Sequence, residues 1–339
     1  MTADATSVRR AALVYNPVKV DADRLHEQVV HLSRRAGWAD PLFFETAIDD
    51  LGQGCVARAL AAGADAVLVA GGDGTVRAVS EALTGTGVPL TIVPSGTGNL
   101  LARNLALPLD DPERVIAATF GTHHRGIDIG IARIARPDGG SEEAAFVVMA
   151  GMGLDAAMIA NTRPTLKKAV GWVAYVDGAA RSLPKAKPFR LVYQVEHGRM
   201  HTTKGYSILF ANCGTLPAGI ALIPDASIAD GTMDVVLIQP RGWWGWLAVW
   251  RKVWWDNSVL RRFRAGRLVL ERRRDQSVRY LQGEMAEAGA APAQAVQLDG
   301  DEFGEAVRMR CHVVPGGLLV ALPPGHAVPG TTSTPLPVS

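Results

Sequence analysis

The 339-residue sequence predicts an α/β N-terminal domain on a mainly parallel sheet, followed by an antiparallel, β-rich second domain. Up to about residue 125, short apolar runs alternate with stretches of helical spacing. Two of those runs end in glycine-rich turns. Beyond Ile127, apolar runs follow one another across Gly, Pro or Asp turns, the pattern of an antiparallel sheet.

Ala11–Tyr15 is a short apolar run that ends at Asn16-Pro17, a strand entering a loop. Residues 23–36 place Leu25, Val29 and Leu32 at helical spacing, and 41–45 read as a second strand. The alanine-rich stretch 53–62 is helical. Residues 66–70 form a buried-type strand that enters Gly71-Gly72-Asp73-Gly74-Thr75, with a helix expected over 76–83. Residues 90–93 repeat the pattern, entering Ser95-Gly96-Thr97-Gly98-Asn99 and a helix through Asn104. In the second half, strands are expected at 127–134, 145–150, 189–195, 206–211, 233–238 and 268–270. His197-Gly198 reads as a hairpin tip, and helices are expected over 156–182 and 242–260.

The expected division is 1–125 and 126–317, with the apolar stretch 318–322 returning to the first domain and a disordered tail over 323–339. Hydrophobic residues at 48% and charged residues at 20% describe an ordered globular chain. A formal net charge of +2 gives no global reason to expect nucleic acid as a partner. Cys55, Cys213 and Cys311 share no metal-type spacing, which suits reduced thiols in the cytoplasm. No stretch reaches the roughly 18 apolar residues of a membrane span and no signal peptide is evident, so membrane contact is expected to be peripheral. Oligomeric state is not readable; a homodimer is one possibility.

Chemistry enters at the two glycine turns. Glycine backbones can aim several N–H groups at one point, and a helix N-terminus favours an anion there. Asp73 cannot face phosphate without a cation between them, which makes it a candidate for holding Mg²⁺ directly or through water. Thr97 and Asn99 are neutral hydrogen-bond donors in the second turn. The bland alternative is a pair of capped strand-to-helix turns. No G-x-x-x-x-G-K-[ST] motif is present, and Gly151-Met152-Gly153-Leu154-Asp155-Ala156 lies in the β-rich half without a following parallel unit, a poor setting for a dinucleotide.

Several motifs then occur in order: Gly71–Thr75; Pro94–Asn99 with Ala102-Arg103; Gly151-x-Gly153-x-Asp155-Ala156; Asp230-Gly231-x-Met233-Asp234; and Leu298-Asp299-Gly300-Asp301. Together they resemble the diacylglycerol kinase catalytic-domain family, which includes bacterial lipid kinases and sphingosine kinases. The resemblance covers about residues 10–322. It implies a nucleotide-binding α/β domain of the NAD-kinase/diacylglycerol-kinase type, a β-sandwich-like lipid domain and an active site in the cleft between them. It further implies ATP and Mg²⁺ as cofactors and transfer of the γ-phosphate to a lipid hydroxyl, diacylglycerol to phosphatidic acid first among them.

By that resemblance, Asn16, Pro17, Thr46, Gly71, Gly72, Asp73, Gly74, Thr75, Gly96, Thr97, Gly98 and Asn99 surround the nucleotide phosphates, and Lys19 either adds charge to them or is a solvated lysine. Ser227, Asp230 and Thr232 take the position of a structural Mg²⁺. Asp301 takes the catalytic carboxylate, accepting the hydroxyl proton or orienting metal-bound water, and Asp73 is placed with it as a catalytic residue. The chain departs from the family at two points. Val18-Lys19-Val20 follows Asn16-Pro17 where small residues are usual, and Asp301 stands where glutamate is usual.

Six of the eight tryptophans lie between Trp243 and Trp255, and Trp243, Trp246, Trp250 and Trp254 share one helical face beside many arginines. Such a face suits peripheral docking on an anionic membrane; packing of the tryptophans on the β-rich domain is the alternative. The rivals to a lipid kinase are an NAD kinase, which uses a similar glycine turn, and a non-catalytic lipid-binding relative.

Overall fold

The computed structural model describes residues 8–96, 98–153, 187–215, 223, 226–240, 245–246 and 277–329. The chain divides into two units, one formed up to Ile127 and again from Gly316, the other spanning Asp128–Pro315.

In the first unit, β1 (Ala11–Tyr15), α1 (Ala22–Arg35), β2 (Leu42–Glu45), α2 (Gln53–Ala61), β3 (Ala66–Gly71), α3 (Asp73–Leu83) and β4 (Leu90–Pro94) alternate, followed by the short helices α4 (Leu100–Asn104) and α5 (Pro112–Ala118). The strands are parallel in the order β2-β1-β3-β4, with Leu13 beside both Phe43 and Leu68, and Val69 beside Ile92. Every residue of β1 and β3 is buried, as befits parallel strands covered on both faces. On one face Leu25, Val29 and Leu32 of α1 pack with Ile116 of α5 over Leu13, Tyr15 and Leu68; on the other Ala59 of α2 meets Ala12.

Local signals set the helix ends. Asp21 caps α1 by accepting from Arg24 N–H at 3.2 Å, and Arg34-Arg35 complement the dipole at its end. Asp111 caps α5 in the same way, ahead of Pro112.

The second unit holds β5 (His124–Ala135, which begins in the first unit), β6 (Ser141–Phe146), β7 (Met149–Gly153), β8 (Phe189–Val195), β9 (His201–Gly205), β10 (Ser207–Ala211), β11 (Met233–Ile238), β12 (Val278–Gly283), β13 (Met285–Leu298) and most of β14 (Asp301–Ala321). Its ladders run β12-β11-β10-β7-β13-β14, with β8-β9 attached to β13 and β5-β6 to β14. One half of β13 pairs β8 and the other half pairs β7, with register irregularities near Gly289–Gln294, so a single strand serves both layers of the β-sandwich. Phe146, Phe189, Phe210, Met233 and Met309 fill the core between them.

Several expectations are corrected. The helix expected from Val76 begins at Asp73, because Gly72 already acts as its N-cap. The run 145–150 is not one strand: β6 ends at Phe146 and β7 starts at Met149, since the N–H groups of Val147, Val148 and Met149 all turn to the Asp299 carboxylate at 2.7–2.9 Å. Residues 318–322 are not a separate strand but the end of β14 and the residue beyond it, with Val320 parallel to Leu90. Residues 323–329, expected to be disordered, pack on the first unit, with His326 Nε2 2.8 Å from Leu105 O and Val328 buried. The helix expected at 156–182, the strand at 268–270, residues 330–339 and all of 242–260 except Gly245-Trp246 lie outside the described residues. The three cysteines are free and buried, and burial pushes the Cys55 thiol up to about 11.

Candidate active site

The two glycine turns leave the carboxyl ends of adjacent strands β3 and β4 and differ in how their polar groups are used. At the first, Gly71 closes β3 and Gly72 alone links it to α3. A Cβ at Gly71 would approach the Thr75 side chain to 2.8 Å, so Thr75, itself buried, packs back over the turn instead of facing outward. Gly72 makes no side-chain cap, and a Cβ placed there would meet nothing within 4 Å. Helix α3 therefore opens toward free space with its first N–H groups uncapped by a side chain.

The second turn uses its own groups. Asn99, in left-handed conformation with φ 48, accepts from Gly96 N–H at 2.9 Å and donates to Gly96 O at 2.7 Å. Ser95 Oγ donates to Val93 O, and Arg103 Nε donates to Gly98 O. Asn99, expected as a donor to a ligand, thus closes its own loop. Thr97 lies outside the described residues.

Asp73 joins the turns. Its Oδ1 accepts from Leu100 N–H at 2.7 Å, and a Cβ at Gly98 would collide with its Oδ2. A Cβ at Gly96 would come within 3.3 Å of Gly71 O and Gly72 Cα, so backbone packs on backbone here. A carboxylate held this way ties the second turn to the first through Leu100 and Gly98.

At the end of β1, Asn16 N–H donates to Ala70 O, and Asn16 Oδ1 accepts from Val18 N–H at 3.0 Å. Lys19 N–H returns to Asn16 O, leaving Pro17, Val18 and Lys19 exposed on a turn. Thr46 is buried at the end of β2, its N–H donating to Tyr15 O. Beside it Tyr15 Oη donates to Glu45 at 2.7 Å; burial first, then that carboxylate, pushes the phenol up to about 12.

In the second unit, Asp301 opens β14 across a tight hairpin from Leu298, with Asp299 and Gly300 at φ 50 and 92. Asp299, 3% exposed, fixes that hairpin through its three N–H partners. Asp301 is half-buried and Glu302, beside it, is exposed. The expected metal loop is tied to β5: Asp128 N–H donates to Ile228 O, and Gly231 N–H donates to Asp128 Oδ2 at 2.7 Å. Asp230 Oδ1 accepts from both N–H and Oγ1–H of Thr232, whose hydroxyl also accepts from Gln282. Ser227 Oγ accepts from Ala229 N–H. Asp230 is exposed, and its carboxylate and the Ser227 and Thr232 hydroxyls are hard oxygen donors, the chemistry that suits Mg²⁺.

Sequence reasoning did not single out Asp128 or Asn212. Asn212, 1% exposed, donates to Asp128 O and Val147 O. Their signal was available: a lone aspartate between isoleucines in an apolar run, and an asparagine directly after one. Trp246 is half-buried with its ring edge-on to Tyr206 at 5.1 Å; Trp243, Trp250 and Trp254 lie outside the described residues.

A parallel unit with such turns, followed by an antiparallel sandwich, is the architecture that two family models describe. The diacylglycerol kinase catalytic domain matches residues 10–132, and the YegS C-terminal NAD kinase beta sandwich-like domain matches 146–322. A diacylglycerol kinase of Mycobacterium tuberculosis is 32% identical over 187 residues, which span 54% of this chain and 58% of that protein. The probable lipid kinase YegS-like of Pseudomonas aeruginosa is 32% identical over 280 residues, 80% of each chain. The crystal structure of a diacylglycerol kinase from Bacillus anthracis superposes with TM-score 0.64 at 17% identity, covering 95% of this chain and all of that one, a likeness of fold. The chain belongs to the diacylglycerol kinase catalytic-domain family, among its YegS-like lipid kinases. No helix among the described residues is long and apolar enough to cross a membrane.

Proposed function

We propose that this chain transfers the γ-phosphate of ATP, with Mg²⁺, to a lipid hydroxyl, and that diacylglycerol is the acceptor. The observation that carries the reading is the start of α3: an 11-residue helix whose N-terminus, capped only by Gly72, faces open space. Uncapped N–H groups and a helix dipole directed at one point favour a phosphate chain. Backbone atoms there stay uncovered because Gly71 and Gly72 carry no side chain and Thr75 folds inward.

Phosphoryl transfer asks the protein mainly to align reactants and neutralise charge. The first turn holds phosphate oxygens. Asp73 is a positioning residue that locks the second turn against the first through Leu100. Lys19, exposed on the first loop, supplies positive charge where the family usually has small residues. Asp301 accepts the proton of the attacking hydroxyl, and Asp299 sets its hairpin. Ser227, Asp230 and Thr232 would hold Mg²⁺, which would add positive charge and rigidity to a loop that Asp128 already anchors.

Labelled ATP with Mg²⁺ is offered to diacylglycerol, sphingosine, other lipid alcohols and NAD in mixed micelles. Label on diacylglycerol is expected. Label on NAD would replace this reading with an NAD kinase, and folded, ATP-binding protein that labels nothing would leave a non-catalytic relative.

A further inference from the structure

The outward face of the β9-β8-β13-β14 ladder in the second unit is built unlike an ordinary solvated sheet. Strand registers place Lys204 directly beside Arg190, and Val192 beside Gly289, which in turn lies beside Arg308. Like charges directly opposite on a sheet destabilise it, yet neither Arg190 nor Lys204 makes an ion pair among the described residues. One acid, Glu287, lies near, and it is shared with Arg308 at 3.4 Å. Arg190 and Arg308 line an open groove of about 390 Å³, together with Val192, Gly289 and Ala291. Met200 and Val307 stand at its sides, 69% and 37% exposed.

The geometry points to this face as a docking surface for an anionic phospholipid bilayer. Basic side chains around exposed apolar ones are what an interfacial site combines, charge for the headgroups and apolar atoms for the layer beneath them. A free phosphate would account for Arg190 and Lys204 but not for Met200 and Val307. A second copy of the chain is disfavoured, because twofold pairing of this face would set Arg190 and Lys204 against their own like charges. The inference builds on the lipid-acceptor reading, but binding to vesicles requires no turnover, so each can fail without the other.

The test is co-sedimentation of the full chain with phosphatidylcholine vesicles, with and without phosphatidylglycerol. Wild-type protein is expected to bind the anionic vesicles and to be released by salt. Arg190→Gln with Lys204→Gln should lower that partitioning roughly thirtyfold, about fivefold for each lost charge, while Arg190→Lys preserves it. Met200→Ser should weaken binding further without changing its salt dependence. Should the double variant fail to fold, Arg308→Gln alone tests the same face with an expected loss of about fivefold. Undiminished vesicle binding by these variants overturns the proposal and leaves membrane contact to another segment. So does wild-type binding of inorganic phosphate through Arg190 and Lys204 without vesicle binding. A dimer that the double variant abolishes while vesicle binding persists would assign the face to self-association instead. Vesicle binding lost in the variants alongside failed transfer to every lipid would uphold the surface and sink the kinase reading.

Discussion

The turns after β3 and β4 look interchangeable in sequence, yet their described polar groups are used differently. Gly71–Thr75 leaves the start of α3 open, whereas the turn beginning at Ser95 closes on itself through Asn99 and Arg103. A glycine-rich turn is therefore not a binding site by composition. What matters is whether its polar groups already have partners within the chain. The second turn acts as a buttress: Gly98 is small so that Asp73 can lie against it, and Asp73 in turn caps the following helix at Leu100.

Gly98→Ala tests the buttress most severely. Its Cβ must displace the Asp73 carboxylate, so a stability loss of about 1–3 kcal/mol is expected. Misplacing the first turn should also lower transfer about a hundredfold. Calorimetry and a transfer assay read the two effects; a wild-type melt and rate would show that the turns are not coupled.

Asp73 separates a tie from a metal ligand. Asp73→Ala leaves Leu100 N–H without its acceptor and should cost about 1–3 kcal/mol. Asp73→Asn keeps an acceptor oxygen and should melt near wild type. If the Asn variant melts like the Ala variant, the carboxylate charge matters more than the cap. A dependence on Mg²⁺ concentration shifted in the Asn variant would support the role of cation holder.

Gly72→Ala inverts the pattern. At φ −81 and ψ 175 alanine fits without strain, and the space above it is empty. The fold should lose only about 0.5–1 kcal/mol from the poorer cap. The methyl group, however, occupies the volume assigned to phosphate, so KM for ATP should rise about tenfold with kcat less affected. An unchanged KM would remove the phosphate role from the first turn.

The uneven legibility of the fold has the same origin as this difference. Strands β1, β3 and β4 were visible because burial on both faces demands a continuous apolar run, and α1 because Leu25, Val29 and Leu32 share one stripe. Strand β13 was not, because its inward positions include Ala286, Ala288 and Ala290, which contrast weakly with their neighbours. Strand β14 alternates Arg308 and Arg310 with Met309 and Cys311, a clear period of two hidden by its glycines and Pro315. Helix α5 went unread although Asp111-Pro112 carries its start signal. At the candidate site, the glycine turns and Asp301 were legible as motifs. The contacts that give them roles were not, since Asp73 reaches Leu100 across 27 residues and Asp299 reaches Val147 across 152. Such pairings are fixed by the tertiary fold and leave no periodic trace in the chain.

The smallest expected effect separates the turns from the pH response of the unit that carries them. His124 begins β5 in the first unit, and its Nε2 is buried without a hydrogen-bond partner among the described residues. Burial first, then the charges of Arg9 and His123, hold its pKa below the ordinary 6.5. The fold thus favours neutral His124: its contribution is fully present above the unfolded value and fades as pH falls through the depressed one. Thermal melts should decline modestly on that acid side in wild type, and His124→Gln should flatten this part of the slope. The deficits of Gly98→Ala and Gly72→Ala are expected to be the same in the His124→Gln background, because independent sites add. If instead His124→Gln changes either deficit, the turns are coupled to the start of β5, and the contrast between an open turn and a closed one would no longer be a property of the turns alone.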